Sequence, residues 1–489
     1  MRIFYLCVIF AIAPNMAFAY LDPGTGSLLI SSFVAIIASG IFVYKNIFYK
    51  VIGIIRGGSI KRAKNTRNNA LVFYSEGKQY HNVFKPILEY LDSIQYPYTY
   101  LTSSKEDFLP YYNKSKYISN NAQISLESTP DTLMPGEYKN NKQATFEYIG
   151  SSDSNKAITR LNSLRADVVM MTTPQLDVLQ LKRSKGVKHY CHIIHSLPHV
   201  DNYEIFALDY FDSVFTNSPI HTDYIHEVER IRSLHTKQVV ITGCSYLDEL
   251  AKKLEAYKKS SKKIRFFNND KKTILIAPSW GREAILRKYG LKLIKPLADS
   301  KFNVIIRPHP QTLIAEKEHI DKIKEALSGY DNIAWDTNRD NIYAMDNAEL
   351  MVGDFSGVLF DFVCLFEKPV LTPDFNFNVI GYDLEDTGRT PWVEWALKQI
   401  GRKIKIEDLD NIAYIIESML SYDEHADQLK ANIEEMKKNL WHFKGKAGEK
   451  SAKEILKIRF NILKNELGGQ ALLYDELRSL EEIIKEKVA

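Results

Sequence analysis

The stretch NVIIRPHPQT, residues 303–312, joins a short apolar run to two prolines, each preceded by a basic residue. The apolar run predicts a buried strand at the centre of a sheet. Pro308 and Pro310 fix their own backbone angles and hold the preceding residues, Arg307 and His309, in extended conformations. The stretch therefore predicts a strand whose end presents an arginine and a histidine in fixed directions.

Further strand-like runs surround this stretch and alternate with helical patterns. They are TILIAPS (273–279), NIAWDT (332–337), AELMVGD (348–354) and PVLTPD (369–374). Strands that alternate with helices indicate βαβ units and a parallel sheet. We therefore predict a Rossmann-like lobe over residues 273–404.

The same alternation occurs earlier in the chain and predicts a second Rossmann-like lobe over residues 68–250. Its strand-like runs are ALVFYS (70–75), YTYLT (98–102), ADVVMMT (166–172), KHYCHIIH (188–195), DSVFTNS (212–218) and QVVITG (238–243). Residues 103–145 are polar and predict a loop-rich insertion, whereas the charged stretch 251–272 predicts a linker. Residues 405–489 predict a helical tail. The fold class is therefore α/β, with two lobes and a cleft between them.

The start of the chain is apolar and predicts membrane segments. Residues 1–19 have the pattern of a signal peptide, or form a first membrane segment, and residues 20–67 contain the apolar run 28–44 and a basic flank. Because the basic residues follow this run, the positive-inside rule predicts an inner or cytoplasmic membrane location with the catalytic domain facing the cytoplasm. The alternative is that the run 28–44 is a buried core helix.

Composition excludes several function classes. The 64 basic and 60 acidic residues leave a formal charge of +4, which is too small for the broad positive field of a nucleic-acid-binding protein. The four cysteines are isolated, without metal-like spacing to histidines, and predict reduced thiols. We therefore predict no nucleic-acid partner, no metal and no cofactor.

Polar side chains follow several predicted strands, at the sheet edge where α/β proteins bind their ligands. In the first lobe, HIIHSLPHVDNY places His195 just after a strand and His199 four residues later. Histidine exchanges protons near pH 7, so His195 is a candidate catalytic base and His199 the next candidate. For both residues a structural role remains the alternative.

Three candidate binding segments belong to the second lobe. The segment APSWGRE supplies Ser279, Trp280 and Arg282. The stretch NVIIRPHPQT supplies Arg307 and His309, and the planar guanidinium of arginine suits phosphate oxygens. The segment GDFSGVLFDF supplies Asp354, Ser356 and Gly357, and Ser356 is the predicted N-cap of a helix. The start of a helix can bind phosphate through its free N–H groups. We expect these side chains to come from adjacent strand ends and to converge on one pocket.

In the order of its motifs, the chain resembles the CDP-glycerol glycerophosphotransferase family of teichoic acid and capsule polymerases, over about residues 185–375. The segments that carry the resemblance are the strand-end His195, GCSYLDEL (243–250), APSWGR (277–282), IRPHP (306–310), VGDFSGVLFDF (352–362) and KPVL (368–371). Where the family has His-Gly-Thr-Pro-Leu-Lys, this chain has HSLPHV, and Gly357 replaces the second serine of the family's Thr-Asp-Tyr-Ser-Ser.

The resemblance implies a GT-B fold in which the C-terminal lobe holds the nucleotide. It implies that His195 is the acid or base of the first lobe. It also implies that Arg307 and His309 contact the donor phosphates, with His309 as a second catalytic residue. Asp354 and Ser356 would shape the nucleotide pocket. The expected function is transfer of a phosphoalditol from a nucleotide-diphosphate donor, such as a CDP-linked one, to a lipid-linked glycan or cell-surface polymer. The alternatives are a glycosyltransferase or sugar-nucleotide epimerase of the same fold, and a non-catalytic scaffold for envelope assembly.

Overall fold

A computed structural model describes residues 69–107, 143–338, 340–374, 379–421, 424–467 and 474–487. Three sequence predictions lie outside these residues: the signal-like segment 1–19, the segment 20–67 with its apolar run, and most of the polar insertion 103–145.

The first lobe is built on a seven-stranded parallel sheet with the order β3-β2-β1-β4-β5-β6-β7. Its strands are β1 (Asn69–Ser75), β2 (Thr99–Thr102), β3 (Thr145–Tyr148), β4 (Arg165–Met171), β5 (Gly186–Ile193), β6 (Ser213–Thr216) and β7 (Gln238–Ile241). Its helices are α1 (His81–Ser93), α2 (Asn155–Asn162), α3 (Thr222–Ile231) and α4 (Ser245–Lys259). Short 3₁₀ turns occur at Lys78–Tyr80, Val200–Asn202 and Pro219–His221.

The strands of this sheet are buried on both faces, which explains their continuous apolar sequences. In β1, Leu71 and Phe73 pack into one core cluster, whereas Val72 and Tyr74 pack into the cluster on the opposite face. Successive side chains of a strand point to opposite faces, so a sheet covered on both sides requires an apolar residue at nearly every position.

The second lobe has a six-stranded parallel sheet with the order β10-β9-β8-β11-β12-β13. Its strands are β8 (Thr273–Ile276), β9 (Asn303–Ile306), β10 (Ile333–Trp335), β11 (Leu350–Val352), β12 (Val370–Pro373) and β13 (Gly401–Ile404). Its helices are α5 (Ile285–Ala298), α6 (Pro310–Ala315), α7 (Lys317–Ala326), α8 (Ile342–Asn347), α9 (Val358–Phe366), α10 (Leu384–Thr387) and α11 (Trp392–Ile400). Two parallel sheets with helices on their faces confirm the prediction of two Rossmann-like lobes.

The C-terminal helices pack on both lobes in turn. They are α12 (Ile412–Leu420), α13 (Glu424–Leu440), α14 (Ala447–Glu466) and α15 (Tyr474–Lys487), with a 3₁₀ turn at Ile406–Asn411. Helix α12 packs on α5 and helix α13 on α9 and α11 of the second lobe, whereas α14 packs on α1 and β4 of the first. The end of the chain therefore ties the second lobe back to the first.

The family-like motif GCSYLDEL holds the turn between α13 and α14. The Asp248 carboxylate accepts hydrogen bonds from the indole N–H of Trp441 at 2.8 Å and from the backbone N–H of Gly445 and Ala447 at 2.8 and 3.0 Å. A Cβ atom added at Gly243 would lie 2.4 Å from a backbone oxygen of this turn, and φ of Gly243 is 87°. Glycine and aspartate at these positions therefore fix the crossing between the lobes.

A segment of the second lobe also crosses to the first. The backbone N–H of Asp383 donates to the carbonyl of Tyr203 at 2.8 Å, and that of Ile205 donates to the carbonyl of Gly381 at 2.9 Å. The Asp383 carboxylate forms an ion pair with Arg232 at 2.8 Å. These contacts fix the first-lobe loop that contains Tyr203.

The predicted membrane location is not supported. Among residues that the structure describes from 69 onward, we find no helix with both the length and the apolar character needed to cross a membrane. This finding corrects the prediction of an inner or cytoplasmic membrane location with the catalytic domain facing the cytoplasm.

Candidate active site

The two lobes contact each other beside the ends of strands β5 and β11. A Cβ atom added at Gly357 would lie 3.4 Å from Cδ of Pro198 and 3.6 Å from Cβ of Ser196. Pro198 and Ser196 follow β5 in the first lobe, whereas Gly357 immediately precedes α9 in the second. The structure thus brings the loop that carries His195 against the helix start that the sequence predicts as a phosphate site.

His195 lies between two tyrosine rings of its own lobe. The Tyr80 ring meets it edge-on with the ring centroids 4.9 Å apart, and the Tyr203 ring stacks on it at 6.1 Å. No atom of the described chain forms a hydrogen bond with Nδ1 of His195. Burial lowers the pKa of His195 to about 4. The imidazole is therefore neutral at pH 7, the form that can accept a proton.

His199 has a different setting, because both of its ring nitrogens form hydrogen bonds within the first lobe. Its Nε2–H donates to the carbonyl of Ile220 at 2.9 Å, and its Nδ1 accepts the backbone N–H of Asp201 at 3.2 Å. The side chain is buried. In this arrangement His199 shapes the loop that follows His195.

Asp354 is fully buried and holds the loop that follows β8. Its carboxylate accepts the backbone N–H of Ser279 at 3.0 Å and that of Ile285 at 3.1 Å. Burial raises the pKa of Asp354, and these hydrogen bonds oppose the increase. The aspartate thereby fixes Ser279, itself buried, and the loop that presents Trp280 and Arg282.

The loops after β8 and β9 meet through two rings. The Trp280 ring stacks on His309 with the centroids 6.2 Å apart, and both Trp280 and Arg282 are exposed. Nδ1 of His309 accepts the backbone N–H of Gln311 at 3.2 Å, so His309 caps α6 and its ring proton belongs on Nε2. Burial lowers the pKa of His309. A neutral His309 can therefore donate a hydrogen bond through Nε2.

Arg307 is partly buried and pairs with an aspartate from the next strand. Its guanidinium forms an ion pair with Asp336, which follows β10 and whose side chain is fully buried. Asp336 also accepts the backbone N–H of Asn338 at 3.0 Å. The ion pair orients the guanidinium, which carries five N–H donors in a fixed plane.

The start of α9 differs from the prediction by one residue. Gly357, with helical angles, is the N-cap, and no side chain caps this end. The Ser356 carbonyl accepts the N–H of Leu359 at 3.2 Å. Ser356 therefore contributes its backbone to the first turn, in which the N–H groups of Leu359, Phe360 and Asp361 donate to the carbonyls of Ser356 and Gly357.

The predicted donor residues do not all follow adjacent strands. Arg307 and His309 follow β9, whereas Asp354, Ser356 and Gly357 follow β11, and β8 lies between these two strands. The loop after β8 connects the two groups, because Ser279 bonds Asp354 while Trp280 stacks on His309. Convergence of Arg307 and Ser356 on one pocket stays a prediction.

Sequence reasoning missed Tyr80, Tyr203 and Asp336. All three follow strands of the two sheets, which is the signal that could have found them. Tyr80 ends a 3₁₀ turn, Tyr203 lies in a polar loop, and Asp336 follows the edge strand β10. In the part of the chain that the structure describes, no group of three or more His, Cys, Asp or Glu side chains is placed to hold a metal ion.

The fold is that of a two-lobed α/β protein in which the loop after His195 contacts the start of α9. The chain belongs to the CDP-glycerol:poly(glycerophosphate) glycerophosphotransferase family, whose model matches residues 58–379. It is therefore a transferase of the CDP-glycerol glycerophosphotransferase type.

A search of the solved structures found matches of low sequence identity with TM-scores below 0.5. The wall teichoic acid polymerase TagF has 17% sequence identity, and the match covers 89% of this chain and 99% of that chain with a TM-score of 0.49. A UDP-GlcNAc 2-epimerase from Neisseria meningitidis has 14% identity, with coverage of 79% and 99% and a TM-score of 0.48. A search of the curated proteins found no match.

Proposed function

We propose that this transferase moves glycerol phosphate, or a similar phosphoalditol, from a CDP-linked donor to a hydroxyl on a lipid-linked glycan or cell-surface polymer. The observation that carries the proposal is the contact between the His195 loop and the start of α9 at Gly357. This contact places the loop that follows His195 beside the helix start that, in our proposal, binds phosphate. Family membership supplies the donor class.

The proposed reaction is a single displacement at phosphorus. The acceptor hydroxyl attacks the donor phosphorus that carries the glycerol, and the bond from that phosphorus to the oxygen shared with CMP breaks. CMP leaves with the shared oxygen, and a new phosphodiester links glycerol phosphate to the acceptor. The hydroxyl proton passes to the neutral imidazole of His195, which the rings of Tyr80 and Tyr203 hold in place.

The second lobe would stabilise the negative charge on the donor phosphates. Arg307, oriented by Asp336, would contact phosphate oxygens, and Nε2–H of His309 would donate to the leaving phosphate. The backbone N–H groups of Gly357 and Val358 would approach the phosphate from the start of α9. Asp354 would act through the loop that it holds, and Trp280 and Arg282 would border the site.

A donor panel tests this proposal. We would incubate the purified chain with CDP-glycerol, CDP-ribitol and UDP-sugars in the presence of a glycan acceptor, and measure nucleotide release together with product mass. We expect CMP release and addition of a phosphoalditol with the CDP-linked donors. Turnover of UDP-sugars alone would instead assign the protein to the glycosyltransferases or epimerases, and nucleotide binding without turnover would support a scaffold.

A further inference from the structure

A hollow lined by basic residues lies between helices α5 and α7 on the flank of the second lobe. Its volume is about 280 Å³. The basic side chains that line it are Arg287, Lys288, Lys292, His319 and Lys322. We call this feature the basic hollow.

A break in helix α5 forms one wall of the basic hollow. Gly290 has φ of 41° and ψ of −117°, values that interrupt the helix and that other residues adopt only with strain. The Leu286 carbonyl, which a regular helix pairs with position 290, accepts a hydrogen bond from Nε2–H of His319 at 3.2 Å. A histidine from α7 therefore stabilises the break, so the hollow is a feature of two packed helices.

The carboxylates next to the basic hollow pair with two of its cations. Glu283 forms an ion pair with Lys288, and Glu316 approaches Arg287 at 3.9 Å. Lys292 and Lys322 are exposed on the two facing helices. The hollow therefore has an excess of positive charge, much of it open to solvent.

The basic hollow adjoins the loops assigned to the donor. Helix α5 begins at Ile285, whose N–H donates to Asp354, so the first lining residue, Arg287, lies roughly 3 Å further along the helix axis. The other wall, α7, follows α6, which His309 caps. A long anionic substrate bound near these loops can therefore extend over the hollow.

We propose that the basic hollow binds phosphodiester groups of the growing acceptor polymer and so makes the enzyme prefer acceptors that already carry several glycerol phosphate units. This inference rests on the proposed function. Lysines act as mobile point charges on flexible stems, which suits a repeated anion without a fixed geometry. Exposure of Lys292 and Lys322 suits an extended polymer better than an enclosed mononucleotide.

The test uses the full chain and the variant Lys292→Glu/Lys322→Glu. We would measure kcat and KM by CMP release, with acceptors that carry either one glycerol phosphate unit or a long oligo(glycerol phosphate). For the long acceptor, we expect KM to rise about 10-fold in the variant, because two contacts with phosphate become repulsive. The KM values for CDP-glycerol and for the single-unit acceptor should change by less than about 2-fold, since neither reaches the hollow.

The matched control is Lys156→Glu/Lys398→Glu, which changes the net charge equally at two exposed lysines outside the hollow. It should behave as the parent does. An equal KM for the long acceptor in the parent and the Lys292→Glu/Lys322→Glu variant would overturn the inference, as would an equal increase in the control. Thermal melting would verify that both variants fold.

Calorimetry separates this inference from the proposed function. Long oligo(glycerol phosphate) is titrated into the parent and the variant without donor, at low and high salt. Binding to the parent that weakens with salt and is lost in the variant supports the hollow even if no CDP-linked donor turns over. Absence of binding to the parent overturns the inference, whatever the donor panel shows.

Discussion

The edges of the two sheets where the strands end differ in how they hold their ionisable side chains. In the first lobe, the hydroxyls of Thr172, Thr216 and Thr242 and the Nδ1 of His195 are buried and have no hydrogen-bond partner among the residues described. In the second lobe, Asp354 accepts two backbone N–H groups and His309 accepts one. Unpartnered buried hydroxyls also occur at the second-lobe edge, at Ser279, Thr312 and Thr372, so the two edges differ in their ionisable side chains rather than in their hydroxyls.

This difference separates residues that can meet a substrate from residues that position others. The carboxylate of Asp354 is used within the lobe, so its role is to fix the loop between Ser279 and Ile285. His195 instead keeps a nitrogen for which the described chain offers no partner. We therefore interpret the first-lobe edge as the place where an acceptor hydroxyl completes the hydrogen bonding, and the second-lobe edge as a preformed frame for the donor.

Among the variants that test this comparison, His195→Ala should have the largest effect on turnover. Removing the proton acceptor should lower kcat by about 10² to 10⁴ fold while CDP-glycerol binding changes little. Steady-state kinetics and calorimetry measure the two quantities. In the parent, the acidic limb of the pH profile should fall near the lowered pKa of about 4 rather than near the ordinary histidine value.

The control for this experiment is His199→Gln, because His199 bonds Ile220 and Asp201 within the lobe. It should lower the melting temperature and leave the kcat of the folded enzyme close to that of the parent. If His195→Ala keeps full turnover while His199→Gln loses it, the roles of the two histidines are exchanged.

Asp354→Ala tests the frame of the second lobe. The substitution leaves the buried N–H groups of Ser279 and Ile285 without an acceptor, and we expect a loss of about 3 kcal/mol in the free energy of unfolding. Urea denaturation measures this loss. Asp354→Asn keeps one acceptor oxygen and should lose less, so equal losses in the two variants would contradict the assigned role.

Arg307→Ala tests the phosphate contact. One guanidinium contact with phosphate is charge-assisted, so we expect CDP-glycerol to bind roughly 10 to 100 fold more weakly, with cytidine nearly unaffected. Arg307→Lys should recover only part of the affinity. Asp336→Asn keeps the arginine but weakens its orientation, and should give a smaller loss. If calorimetry showed that Arg307→Ala and the parent bind CDP-glycerol equally well, Arg307 would have no role in donor binding and only the structural role of its ion pair with Asp336.

The architecture could be predicted from sequence because both sheets are parallel and covered on both faces. Such strands need apolar residues at nearly every position, and runs such as Leu71–Tyr74 therefore stand out from the helical patterns around them. Strand order was not visible, because side-chain periodicity carries no information about which strands are neighbours. The expectation that Arg307 and Ser356 follow adjacent strands was therefore wrong, since β8 lies between them.

Candidate site residues could be found by position, but their roles could not be read from the sequence. Residues after parallel strands collect at one edge, and this rule selected His195, Arg307 and Asp354. The contacts that distinguish them depend on distant parts of the chain, such as Asp336 beside Arg307 and the two tyrosine rings beside His195. The helix start was misplaced by one residue because Ser356 and Gly357 are both acceptable N-caps.

The smallest predicted effect is that of a single buried histidine on the response of the first lobe to acid. Burial lowers the pKa of His192 to about 3 and that of His195 to about 4, and it lowers the pKa of His221 as well. In the unfolded chain these groups titrate near the ordinary value, so below about pH 6.5 the unfolded state binds more protons than the folded state. Their contribution to stability is therefore full above pH 6.5 and decreases as the pH falls toward the folded pKa values.

At pH 5, a single fully buried histidine such as His192 should cost about 2 kcal/mol of unfolding free energy relative to pH 7. As the pH is lowered, hydrogen exchange should show that β5 loses protection before β9 does. Tryptophan fluorescence reports on the rest of the molecule, because all five tryptophans lie at residue 280 or beyond. His192→Asn removes one of these groups and should reduce the pH dependence of β5 protection. An unchanged pH dependence in that variant would show that the acid response of the first lobe has another origin, because His192 is completely buried and neutral in the folded protein.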